Sequence, residues 1–181
     1  MKKSFIILII TMIYFNSFAQ NKMGLSQIYA GYGIGNIGAI ALRASGENVE
    51  GNIGQIMIGY KRPFAKSRFT IGLHASYCSA YSETTSSGYF DVKVFSFYSK
   101  FDYHWLLKEK IDMYSGIALG TTYFNVQNFS SNYNAPEKGN SVGLHLNIFG
   151  LRHQLTKNFS QFFEFGFMNL GFIQYGVAYN L

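Results

Sequence analysis

From Ser26 to the C-terminus, apolar side chains recur at every second position, the period of a β-strand with one face against an apolar medium. The alternation is cleanest from Phe69 to Tyr77. There Phe69, Ile71, Leu73, Ala75 and Tyr77 alternate with Thr70, Gly72, His74 and Ser76. The same pattern predicts seven further strands: Ile28 to Ile34, Ile56 to Tyr60, Phe95 to Tyr103, Ile111 to Leu119, Val142 to Ile148, Phe163 to Phe167 and Tyr175 to Leu181. The opposite face is small or polar, with glycines 31, 33, 59, 72, 116, 120, 143, 166 and 176 on it. A wall between lipid and a filled lumen needs this arrangement.

The connections alternate in length. Residues 61–68, 105–110 and 152–158 read as short basic turns, whereas 36–51, 79–90 and 125–140 read as longer loops rich in Ser, Asn and Gly. A fourth connection, near Asn169-Leu170-Gly171, reads as unusually tight. Short turns on one side and long loops on the other are the habit of a barrel in the outer membrane. An even strand number puts both termini on the periplasmic side.

Composition strengthens this reading. Aromatic residues reach 18%, through 18 Phe and 14 Tyr, while charged residues fall to 13%. That is about half the usual charged share of a soluble domain. Beyond the N-terminus no apolar run approaches the ~20 residues of a spanning helix. Only helices and closed barrels satisfy every backbone group inside a bilayer, so a barrel remains. The expected fold is all-β, a transmembrane antiparallel up-and-down β-barrel of eight strands, in one domain over residues 20–181. Residues 1–19 read as a cleaved secretory signal peptide. Lys2 and Lys3 precede an apolar core from Phe5 to Tyr14, and Ser17-Phe18-Ala19 supplies small residues at the cleavage positions. Loss of the two lysines lowers the formal net charge from +6 to +4. The remaining bases form no single patch interleaved with exposed aromatics, which argues against nucleic acid as a partner. Cys78 is the one cysteine, so an internal disulfide is impossible and no lipid-anchor cysteine lies near the cleavage site.

From about Gly24 to Leu181 the chain resembles the small eight-stranded outer-membrane barrels of the OmpA-like and OmpX-like superfamily. The most specific part is the end, Tyr175-Gly176-Val177-Ala178-Tyr179-Asn180-Leu181. Tyr175, Val177, Tyr179 and Leu181 alternate to the last position and look like the C-terminal signal read by the barrel-assembly machinery, with Leu181 where Phe is more usual. The resemblance implies an outer-membrane location, membrane lipids as surroundings, and the assembly machinery as a partner during biogenesis. It also leaves room for a protein partner in the same membrane.

Candidate chemistry lies on the lumen face. His74, Lys100, Asp102, His104, Asp112, His145 and Glu164 share that parity. Unpaired charges there would be costly, so the expectation is a polar network that plugs the barrel. A gated narrow pore is the alternative use of the same residues. His74-Ala75-Ser76 resembles the His-x-Ser pair of the lipid A deacylase barrels, with Glu164 as a conceivable third member, but Tyr77 replaces the Asn that usually follows. Both side chains point to the lumen and away from acyl chains, so the expectation is a hydrogen-bonded pair and no enzyme. His74, His104 and His145 lack close ligand spacing, so no metal or cofactor is expected. Tyr29, Tyr32, Tyr60, Tyr77, Tyr103, Trp105, Tyr123 and Tyr179 read as an aromatic girdle, and Asn128 to Asn140, with Tyr133 and Pro136, as the recognition loop. The functional expectation is a structural or interaction role, with a lipid A-modifying enzyme or an accessory subunit of an export or assembly complex as alternatives.

Overall fold

The computed structural model describes residues 26–35, 49–64, 67–84, 88–130, 137–168 and 172–181. The predicted signal peptide and the tight 169–171 connection lie outside them. Eight strands follow in chain order: β1 (Gln27–Ile34), β2 (Val49–Pro63), β3 (Phe69–Thr84), β4 (Gly88–Leu107), β5 (Ile111–Ser130), β6 (Glu137–Gln154), β7 (Phe159–Met168) and β8 (Ile173–Asn180). Each pairs antiparallel with its sequence neighbours, and β1 closes on β8 to complete a barrel. The chain terminus joins the closing seam, where the Leu181 amide donates to the Ser26 carbonyl at 2.8 Å.

Alternation sets the two faces as the sequence predicts. Ile28, Ile56, Ile58, Leu73, Phe97, Phe101, Leu144, Phe163 and Val177 are exposed on the outside, while His74, Tyr98, Lys100, Tyr114 and Glu164 are buried within. The outer belt is thus apolar and the core of the molecule is its lumen. Glycines make room there. A Cβ at Gly59 would collide with the ring and hydroxyl of Tyr29, and one at Gly150 would enter the Tyr114 ring. Tyr29 is therefore a lumen residue, 3% exposed, and not part of the girdle where its place near a strand end suggested it.

Three boundaries differ from the sequence reading. Lys61 and Arg152 belong to β2 and β6 and point inward, whereas both were expected in the short basic turns. The loops read at 79–90 and 125–140 are largely strand, because β3, β4, β5 and β6 continue as paired ladders through polar sequence. Their parity also persists, so Cys78, Ala80, Val92 and Val94 form a buried apolar cluster, flanked by Phe124 and Val126, above the polar lumen. Of the supposed recognition loop, residues 128–130 and 137–140 lie in strands, and Tyr133 and Pro136 lie outside the described residues.

Strand lengths are unequal. β1 and β8 have 8 residues each and β7 has 10, but β4 and β5 have 20. A bilayer needs about 9–11 tilted residues per strand. The long strands therefore carry a sheet well beyond the rim set by the short ones, on the side away from the short turns. Pairing of β1 with β2 ends at Gly33 and Gln55, and pairing of β6 with β7 ends at His145 and Met168. Among the described residues, Val49–Ile53 of β2 and Glu137–Leu144 of β6 have no strand partner on that side, leaving two edges of the projecting sheet, and the Gly54 amide just below the first donates to the Tyr32 hydroxyl at 2.8 Å.

Candidate functional site

The lumen is where the chain gathers its chemistry. Inward parity on β4 brings Lys100, Asp102 and His104 down one wall, and β5, β6 and β7 answer with Asp112, Arg152 and Glu164. The Lys100 ammonium donates to both Glu164 carboxylate oxygens at 2.6 Å, and the Tyr114 hydroxyl donates to Oε1 of the same group at 2.7 Å. Lys61 Nζ lies 3.7 Å from Asp102 Oδ2 and over the rings of Tyr29 and Tyr114. Nearer the short turns, His104 Nδ1 meets Asp112 Oδ1 at 2.6 Å and Arg152 Nη1 meets Oδ2 at 3.3 Å. A carboxylate only accepts, so Nδ1 of His104 carries a proton, while its Nε2 faces the Thr70 hydroxyl at 3.2 Å. Three cations and three carboxylates thus neutralise one another along the described lumen, and the aromatic rings between them limit contact with water.

Six of the seven expected network residues enter this scheme or border it. Lys100 joins Glu164, His104 joins Asp112, Asp102 joins Lys61, and His74 Nδ1 lies 3.0 Å from the Tyr29 hydroxyl. His145 is buried but turns to the backbone of Phe167. Sequence reasoning missed Lys61 and Arg152. Lys61 continues the parity of Gln55, Met57 and Gly59, so extending β2 by one step would have found it. Arg152 could not be found by counting. A bulge between Asn147 and Phe149 shifts the parity of β6, so Gly150, Arg152 and Gln154 face inward after His145 and Asn147.

The serine and histidine of the His-x-Ser pair are engaged elsewhere. Ser76 Oγ accepts from Gln55 Nε2 at 2.7 Å, His74 faces Tyr29, and Glu164 is held by Lys100 and Tyr114. The histidines do not converge either. Among the described residues, no three His, Cys, Asp or Glu side chains are grouped to hold a metal ion.

The outer face completes the picture. Tyr60, Phe69, Tyr103, Trp105, Phe159 and Tyr179 are exposed near the short-turn end, with Tyr32, Phe95 and Tyr123 toward the other. Tyr175, Val177, Tyr179 and Leu181 face outward, so the terminal motif lies on the lipid-facing side of the closing strand and beside the seam with β1. An apolar belt bounded by aromatics around a charge-compensated lumen defines a small membrane-spanning β-barrel.

Solved structures share this fold. The outer membrane protein Ail of Yersinia pestis, in a phospholipid bilayer nanodisc, aligns with a TM-score of 0.53 at 17% identity, over 87% of this chain and 99% of that one. Ail crystallised with the heparin analogue sucrose octasulfate aligns at 0.51 and 15% identity, over 87% and 97%. The N-terminal β-barrel domain of Pseudomonas aeruginosa OprF covers 87% of this chain and 99% of its own, with a TM-score of 0.44 and 15% identity. No family model and no curated protein matches the sequence.

Proposed function

We propose that this chain is a non-enzymatic outer-membrane barrel whose work is contact, made by the projecting sheet on the outside, above a lumen plugged by ion pairs. In this reading residues 1–19 are removed on export, both termini and the short turns are periplasmic, and Tyr175, Val177, Tyr179 and Leu181 serve the assembly machinery. The observation that carries it is the pair of strand edges, Val49–Ile53 and Glu137–Leu144, that among the described residues extend past their neighbours β1 and β7. An edge with unpaired amides and carbonyls accepts an extended segment of another protein by strand addition. Val142, 85% exposed on one such edge, is the natural reporter. A photo-reactive amino acid at Val142, in cells, should give discrete protein adducts, while the same probe at Val177 in the belt should give lipid adducts alone. Indistinguishable products at the two positions would remove the contact reading.

The sulfated ligand of Ail is not carried over. Among the described residues of the projecting sheet, Lys93 is paired with Asp91 at 2.9 Å and Lys138 is exposed, whereas most exposed cations lie at the opposite end. An enzyme acting on lipid A is disfavoured by the engagement of His74 and Ser76 with other partners, and identical lipid A mass spectra with and without the protein are expected. A narrow pore is the second reading. It is favoured by buried polar atoms without a protein partner, including His74 Nε2, Asp102 Oδ1 and Arg152 Nε.

A further inference from the structure

The short-turn end carries a ring of cations that neither the lumen nor the projecting sheet uses. Arg62 follows Tyr60 outward on β2, Arg68 lies in the β2–β3 turn, Lys108 and Lys110 flank the β4–β5 turn, and Lys157 lies in the β6–β7 turn. Arg62, Arg68, Lys108 and Lys157 are exposed and Lys110 is half-buried; the one acidic side chain in these three turns, among the described residues, is Glu109. Arg62, Arg68, Lys110 and Lys157, at least one on each short turn, enter none of the salt bridges found among the described residues. The ring is therefore a surface of strong positive charge on every short turn.

Its height matters more than its sign. Directly toward the belt from these cations lie Tyr60, Phe69, Tyr103, Trp105 and Phe159, the aromatics that end the lipid-facing zone. Arg68 Nη1 donates to the Trp105 backbone carbonyl at 3.4 Å, which holds a guanidinium at the level of the girdle residue Trp105. Aromatic rings settle at the headgroup level, so the cations just beyond them lie among phosphates. Ammonium and guanidinium groups on a membrane flank favour anionic over zwitterionic lipid. We infer that this collar binds the phosphates of anionic glycerophospholipids, of the phosphatidylglycerol type, in the leaflet at the short-turn end. The inference rests on the membrane-spanning reading but not on what the projecting sheet contacts. A soluble polyanion fits less well, because the cations ring the flank of a lipid belt and do not line a cleft.

The chain offers its own probe, since Trp105 is its one tryptophan and stands in the collar. The mature protein is folded into phosphatidylcholine vesicles containing a minor share of phosphatidylglycerol, with the bromine quencher on one lipid class and then on the other. Each exposed base near an anionic surface is worth roughly a fivefold preference. Quenching of Trp105 should therefore report at least about a tenfold enrichment of phosphatidylglycerol, falling with added salt. In the variant R62Q/R68Q/K110Q/K157Q the enrichment should vanish while quenching by bulk lipid persists; K138Q, on the projecting sheet, should leave it unchanged. Equal quenching by the two lipid classes in the wild-type protein would overturn the inference, even though the barrel is inserted. So would enrichment that survives in the quadruple variant. Absence of quenching by either lipid would instead defeat the membrane-spanning reading. If the quadruple variant does not fold, the salt dependence in the wild-type protein decides alone.

Discussion

Lys100 and Glu164 show what a single residue does in this lumen. Each is almost fully buried, and the pair, with the Tyr114 hydroxyl, exchanges short charge-assisted bonds. Removing two charges from water is expensive, so the pair adds little net stability, yet breaking it strands a charge. Lys100→Met should therefore destabilise the barrel by about 3–5 kcal/mol, whereas Lys100→Met with Glu164→Gln should recover most of that loss. Urea unfolding of the refolded protein in micelles checks both, and equal costs for the single and double variants would mean that Glu164 finds water when Lys100 is gone. This ion pair was legible in part. Parity put both residues on the lumen face, but the height at which β4 meets β7 across the barrel depends on shear, which no strand encodes alone.

At the scale of the strand, the sequence was legible wherever alternation was strong and misleading where composition took over. Phe69 to Tyr77 and Tyr175 to Leu181 lie in strands with the predicted faces. Residues 79–84 and 125–130 read as loop because they are polar, but a ladder neighbour on each side supplies hydrogen bonds that polar residues accept as readily as apolar ones. The bulge in β6 hid Arg152 for a different reason, since it breaks the count that parity relies on. The extended strands also change the expected reactivity of Cys78. Its side chain packs with Ala80, Val92 and Val94 on the inner face and is 5% exposed. Maleimide should label it at least about a hundredfold more slowly in the folded barrel than in urea, and Val92→Ala together with Val94→Ala should raise the folded-state rate. Intact mass against time gives the rates, and rapid labelling of the folded protein would place Cys78 at an open surface.

For the whole molecule the decisive question is whether a barrel of this circumference transmits anything. Eight strands enclose an interior that side chains can fill, and here they do so in two ways. Charges cancel across it, and Tyr98 and Tyr114, both 0% exposed, together with Phe162 fill space independently of charge. These two kinds of closure predict different variants. Because the rings remain when an ion pair is removed, Lys100→Ala and Glu164→Ala should leave the protein silent in planar bilayers, as the wild-type protein should be. Truncating the rings instead, as Tyr98→Ala with Tyr114→Ala, should admit ions and produce openings, since the β5 lumen positions between them, Gly116, Ala118 and Gly120, are too small to refill the space. Steady wild-type openings that disappear in Lys100→Ala or Glu164→Ala would reverse this account. The ion pairs would then be a gate that conducts through partner exchange, and the projecting sheet would stand over a channel.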